Sequence, residues 1–253
     1  MQKSLLSLML ILSLPVQAQS TAGSWVAAMT RYSLASTIHA VAAPEMRLHW
    51  AATAMGALAV SRLDSWATSG EVRGKIMSQP QAFIGDKWGD PVAAIVALPS
   101  IFLADKILGH SSADTKNRLE FAVASLVSVG ITTVVAKELF RRKRPNGIGH
   151  RSFPSGHTSI AFAVAEVVRQ LYGNLASAPF YLLAVNTGLS RIHDNKHYPS
   201  DIVAGAGLGI GIIRGFSMVD RAALPFSVSV NMGRTGIVAR LSWPVTSLHR
   251  AKL

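Results

Sequence analysis

Apolar residues gather in helix-length stretches at about 25–42, 46–61, 91–108, 119–137, 157–171, 176–191 and 201–216, with polar breaks between them. Most are rich in Ala, Leu and Val, and their lengths predict helices, six of them within 46–216. The segment 62–90 is polar and holds Gly70, Gly74, Pro80, Gly85 and Gly89, so it reads as a loop with one short amphipathic helix. The pattern changes after about 219. Phe226, Val228, Val230 and Met232 alternate with small polar residues, and so do Ile237, Ala239, Leu241 and Trp243. Gly233-Arg234-Thr235-Gly236 lies between the two runs, which makes 219–253 a β-hairpin tail. A lone hairpin is marginal in water, so a short capping element is expected.

The first residues have a different logic. Lys3 supplies a positive start, Leu5 to Leu14 an apolar run, and Val16-Gln17-Ala18 a small-x-small cleavage site. This predicts a signal peptide over 1–18, an exported body, and a helical N-terminal extension over 19–45. Several predicted helices carry charge inside them, such as Asp105, Lys106, Glu120, Glu166 and Arg169, and the run Ile202–Ile213 is short for a span. After an export signal, an external site needs an even number of crossings before it. The three stretches 46–61, 91–108 and 119–137 therefore contain either no span or two. The expectation is a periplasmic body, soluble or associated with the inner membrane. Gly205-x-x-x-Gly209 and Gly207-x-x-x-Gly211 permit close helix contact in either solvent.

Composition narrows the chemistry. The 25 Lys and Arg against 13 Asp and Glu give a net charge of +12, which suits anionic partners: phosphorylated substrates, an anionic membrane surface or nucleic acid. No nucleic-acid-binding motif accompanies the charge. The chain has no cysteine, which excludes disulfides, thiolate chemistry and cysteine-ligated zinc.

Three clusters carry candidate chemistry: Lys137-Glu-Leu-Phe-Arg-Arg-Lys-Arg144-Pro145, then Phe153-Pro154-Ser155-Gly156-His157-Thr158-Ser159, then Ser190-Arg191-Ile-His-Asp-Asn-Lys-His197-Tyr-Pro-Ser-Asp201. Lys137 closes an apolar helix, while Arg144 precedes a proline that favours extended backbone. Alone, this cluster reads equally as a solvated basic run. Ser155 is a good N-cap, and the amides of Ser155, Gly156 and His157 at a helix start would form an anion site. Pro199 suits a first helical turn, so His197 falls just before a helix and Asp201 four residues on. A carboxylate on one imidazole nitrogen leaves the other free for attack. Arg191 offers a planar fork for two oxygens. Alone, each of these reads also as a capped helix or a surface loop. Together they supply cations, an amide nest, an acid, a nucleophile and its orienter, the parts needed for phosphoryl transfer without a metal. His150 and His193 read as rim or surface histidines, and Arg141, Arg142 and Lys143 as a solvated basic face.

In order and spacing the clusters resemble the signature of the phosphatidic acid phosphatase type 2 and vanadium haloperoxidase superfamily: Lys, six residues, Arg-Pro; Pro-Ser-Gly-His; Ser-Arg, five residues, His, three residues, Asp. The resemblance implies an all-α bundle over 46–218 with its site where the ends of three helices meet. It implies His197 as nucleophile, Asp201 as its orienter and His157 as acid, then base. It implies Lys137, Arg144, Arg191, Ser155 and Gly156 as the phosphate cradle, with no metal and no cofactor. The expected activity is hydrolysis of a phosphomonoester or pyrophosphate on a lipid-linked substrate, through a phospho-histidine, at the periplasmic face. The alternatives are a non-specific acid phosphatase acting on small soluble phosphomonoesters and, further off, a vanadate-dependent haloperoxidase.

Overall fold

A computed structural model describes residues 21–219 apart from 71, 73 and 91, together with strands 227–233 and 236–242. The expected signal peptide, 1–18, and the turn residues Arg234 and Thr235 lie outside the described residues. The described chain is helical up to residue 219. Its elements are α1 (Thr21–Ala42), a 3-10 turn (Pro44–Met46), α2 (Arg47–Ser61), α3 (Asp64–Ala67), α4 (Gln79–Gly89), α5 (Val92–Ile107), α6 (Ser112–Phe140), α7 (Gly156–His193) and α8 (Pro199–Ser217). Strands β1 (Ser227–Gly233) and β2 (Gly236–Ser242) pair antiparallel, Val230 opposite Ala239. Residues 35–219 form one compact unit that contains every candidate site residue, and the two strands lie in the other unit.

Local chemistry sets the helix ends that matter. Ser111 caps α6 by accepting from the Asp114 amide at 3.1 Å, and Arg141 ends it with a left-handed φ of 44°, which leaves Lys137 in the last turn. α6 starts earlier than its apolar pattern, and at 29 residues it is long and apolar enough to cross a membrane. Ser78 and Gln81 form a capping box at the start of α4 (Ser78 N to Gln81 Oε1, 3.0 Å), so the polar segment holds an ordered eleven-residue helix. Pro80 fits its first turn, where no amide is missed.

Element α7 is two helices joined at Gly173, whose φ of 85° and ψ of −179° only glycine adopts without strain. The two arms run back along each other. Phe162 meets Tyr181 edge-on at 6.0 Å, and the Tyr181 hydroxyl donates to Glu166. This reversal returns the end of α7, with Arg191, to the end where α7 began, with His157.

Helix α8 packs into this frame along two glycine stripes. A Cβ on Gly205 would stand 2.6 Å from the Ser155 carbonyl oxygen and one on Gly209 2.3 Å from that of Ser159, so this stripe lies against α7. A Cβ on Gly207 would stand 2.2 Å from Thr53, and one on Gly211 2.6 Å from His49 and Trp50, so the other stripe lies against α2. Between the stripes, Leu208, Ile212, Ile213 and Phe216 are buried. Two of the charges inside the helices, Glu166 and Asp105, are buried and matched within the bundle rather than solvated, whereas Lys106 is exposed. Buried Glu166 accepts from Arg169 (2.8 Å), Gln170 and Arg214 (3.2 Å), and buried Asp105 from the Tyr172 hydroxyl at 2.8 Å.

Gly209→Ala is expected to destabilise by about 1–3 kcal/mol, because its clash is with backbone that cannot step aside. Gly130→Ala, in α6 with nothing within 4 Å of the new methyl, should stabilise by up to about 1 kcal/mol. Thermal unfolding of the two variants beside wild type gives both signs in one experiment.

Candidate active site

The end of α6, both ends of α7 and the start of α8 meet at one end of the bundle. The first and second clusters are tied through Lys137, whose Nζ donates to the carbonyls of Arg151 (2.8 Å) and Pro154 (2.6 Å). The second and third are tied through Ser155, whose amide donates to the Asp201 carbonyl at 3.0 Å. Lys137 also passes Gly156, where a Cβ would meet its Cε at 3.5 Å, an ordinary contact distance. Ser155 holds the N-cap position of α7, but its hydroxyl accepts from Thr158 Oγ1 at 2.9 Å instead of from a backbone amide.

Asp201 is fully buried. Its Oδ2 accepts from Ser152 Oγ at 2.5 Å and the Tyr198 amide at 2.9 Å, and its Oδ1 from Arg142 Nη1 at 2.7 Å. Burial pushes this carboxyl up, but His197 and these donors outweigh burial and hold it below the ordinary carboxylate value. His197 is also buried, with Nδ1 3.5 Å from Asp201 Oδ2, an ion-pair rather than a hydrogen-bond distance. The Asp201 side of the ring is therefore Nδ1, and Nε2 is the nitrogen left for chemistry. Burial drives the His197 imidazole down; Asp201 opposes, Lys137 and Arg144 add to the fall, and it settles at about 4. Arg144 is half-buried and has no ion-pair partner among the described residues, so its charge acts on the site directly.

Arg191 is 1% exposed. Its Nη1 meets Asp86 Oδ1 at 2.5 Å, its Nη2 donates to Asp194 Oδ2 at 2.9 Å and its Nε to Ser190 Oγ at 3.3 Å. Of the five N–H donors of a guanidinium, two are left for an oxyanion. His157 places Nε2 2.9 Å from Asp90 Oδ1 and 3.9 Å from Asp86 Oδ1. Burial and the Arg191 charge push this imidazole down; Asp90 and Asp86 push it up, Lys196 down again, and the net result lies below 6.5.

Several partners come from residues read otherwise in the sequence. Arg142 is not a solvated charge: besides Asp201 it donates to Ser200 Oγ (2.7 Å) and Asp64 Oδ2 (2.8 Å), and its guanidinium lies 4.0 Å from the Tyr198 ring centre. Asp64 in turn accepts from the Ser200 amide (3.0 Å) and hydroxyl (2.6 Å). Asp86 and Asp90 come from α4 and its exit, in the segment expected to be mostly loop. His193 is buried, 3.4 Å from Gln79 Nε2, not at the rim, whereas His150 is exposed. The only local signal for Arg142 was its place in a basic run. For Asp64, Asp86 and Asp90 there was none, because each meets its partner across a long sequence separation.

These shifts set the acid stability. Unfolded, His197 takes up its proton near 6.5, and folded only near 4, so the unfolded chain binds more protons between those values. Stability should therefore fall as pH drops through that window. His197→Asn, which cannot titrate, should flatten the slope of melting temperature against pH there.

A family model described as PAP2 superfamily matches residues 119–223. Lipid A 1-phosphatase of Porphyromonas gingivalis is 44% identical over 77 residues, 29% of this chain and 17% of that protein. Bacitracin transport permease protein BcrC of Bacillus licheniformis is 33% identical over 109 residues, 38% of this chain and 53% of that protein. The chain thus spans about half or less of the curated relatives it matches. The crystal structure of Aquifex aeolicus LpxE aligns with 55% of this chain and 85% of that one, at 22% identity and a TM-score of 0.45. The matched stretch, less than half of the chain, contains all three clusters, from Lys137 to Asp201, and over it the chain is similar to the PAP2 superfamily.

Proposed function

We propose that this chain is a metal-independent phosphatase acting on a phosphomonoester or pyrophosphate of a lipid-linked substrate at the periplasmic face of the membrane. The observation that carries this reading is the buried pair His197–Asp201, neutral imidazole beside ionised carboxylate, set among Lys137 and Arg144. A neutral imidazole is nucleophilic, and the cations meet the charge of a phosphoryl group.

In the reaction, His197 Nε2 attacks phosphorus and the bond to the leaving oxygen breaks, while His157 protonates that oxygen. A water then attacks the phospho-histidine, its proton taken by the now neutral His157, and phosphate leaves with His197 neutral again. Arg144, Lys137, the free N–H groups of Arg191 and the amides at the start of α7 hold the phosphoryl oxygens.

A lipid substrate is favoured by the outside of the bundle. Val123, Val127, Ile131 and Val134 form an exposed apolar stripe on α6, and Ile95, Phe102 and Leu103 are exposed on α5. Such surface supports membrane association, and part of it lies on the helix whose last turn holds Lys137. The kinship with a lipid A 1-phosphatase agrees with it.

Phosphate release should persist in EDTA, be blocked by vanadate and fall at least about a thousandfold in His197→Ala. Activity that needs an added divalent metal would overturn the reading. The pH dependence has a definite shape. His197 must be neutral and His157 protonated, so kcat/KM, corrected for the substrate's own ionisation, should fall in acid near pH 4 and fall in base at a pH below that of an ordinary histidine.

A further inference from the structure

The carboxylates of Asp86 and Asp90 stand over His157 and Arg191, and none of the three clusters includes them. Two glycines put them there. A Cβ on Gly85 would lie 2.8 Å from the Asn186 carbonyl oxygen, and one on Gly89 would lie 2.5 Å from His157 Cβ and 2.6 Å from Thr187. With hydrogens in place of methyls, α4 rests directly on both arms of α7, and the residue after Gly89 is delivered to the imidazole.

Asp86 is committed elsewhere. It pairs with Arg191 and, at 3.3 Å, with Lys196, and it keeps 3.9 Å from His157. Asp90 is different. It is the C-cap residue of α4, two residues before α5 starts at Val92. Its backbone carbonyl accepts from the Ala93 amide at 3.0 Å, and its carboxylate goes to His157 Nε2 at 2.9 Å. His157 Nδ1 has no hydrogen bond among the described residues. Both partners are about one-third exposed, so the contact contributes little to stability and its geometry calls for another reason.

We propose that Asp90 is the positioning residue of the leaving-group acid, holding His157 through Nε2 so that Nδ1 is turned to the departing oxygen. The proposal rests on the phosphatase reading above. As the His197 Nε2–phosphorus bond forms and the bond from phosphorus to the leaving oxygen breaks, the Nδ1 proton passes to that oxygen. The Nε2 proton stays on the ring, and Asp90 remains ionised throughout. The carboxylate thus holds the acid protonated against Arg191 and Lys196, the cations that face the same ring, while Asp86 acts with it and Lys87 lies near both carboxylates.

The test separates proton delivery from mere structure by changing the leaving group. An alkyl alkoxide needs a proton as it departs, whereas para-nitrophenolate hardly does. In the full chain, Asp90→Ala should lose about tenfold or more in kcat/KM on octyl phosphate and less than about threefold on para-nitrophenyl phosphate. Asp90→Asn, which keeps an acceptor oxygen without the charge, should move the basic limb of the octyl phosphate profile to lower pH, and Asp90→Glu should recover part of the loss. The melting temperature should stay at the wild-type value. Equal losses on both esters, no loss at all, or an unmoved limb would overturn the proposal. His157→Ala is the control for the reading beneath it. If that variant loses equally on both esters, the acid assignment itself fails. If it loses selectively while Asp90→Ala does not, only the role of Asp90 fails.

Discussion

The buried carboxylate of Asp201 is the constraint around which the rest of the site is arranged. An ionised carboxylate away from water is stable only when its oxygens are met by donors or cations, and Asp201 is fully buried. Its donors come from separate parts of the chain: Ser152 before α7, Tyr198 before α8, and Arg142 just past α6. The Ser155 amide adds a bond to its backbone carbonyl. Satisfying one residue therefore draws the three clusters together, and the imidazole of His197 is placed by the same arrangement. Asp64 extends it by one step, bridging Arg142 and Ser200, so that the guanidinium is clamped between two carboxylates and faces Tyr198.

Geometry at a larger scale makes that convergence possible. A straight α7 would carry His157 and Arg191 to opposite ends of the molecule. The reversal at Gly173 brings them to the same end, and the glycine stripes of α8 let its start lie close enough for Asp201 to reach the loop before α7. The network of Glu166, Arg169, Tyr181 and Arg214 joins the two arms of the hairpin and α8. Polar contacts inside an otherwise apolar bundle thus do two jobs. Near Gly173 they hold the hairpin closed, and at the other end they organise the chemistry.

The site is electrostatically divided. Around His197 lie Lys137 and Arg144, and together with burial they keep the ring neutral. Around His157 the cations Arg191 and Lys196 are answered by Asp86 and Asp90, so the second imidazole is in a mixed field. Two histidines forty residues apart therefore meet different surroundings, which fits the separate nucleophile and acid roles proposed for them.

Much of this was legible in the chain itself, for a local reason. Ser155-Gly156 marks a helix start, Pro199 another, and the break between the apolar runs 157–171 and 176–191 falls around Gly173; each depends on residues within one or two turns. The spacing of Arg191, His197 and Asp201 is likewise a property of one short loop. What the sequence by itself determined is thus the helical character of the body, the starts of α7 and α8, and the three clusters whose side chains meet in the candidate site. What only the tertiary structure decided is which charges face one another. Asp64 finds Ser200 across 136 residues, Asp90 finds His157 across the packing of α4 on α7, and Arg142 leaves a basic run to join a buried carboxylate. No local pattern encodes such pairs, because burial, and with it the strength of each interaction, arises only once the helices have packed.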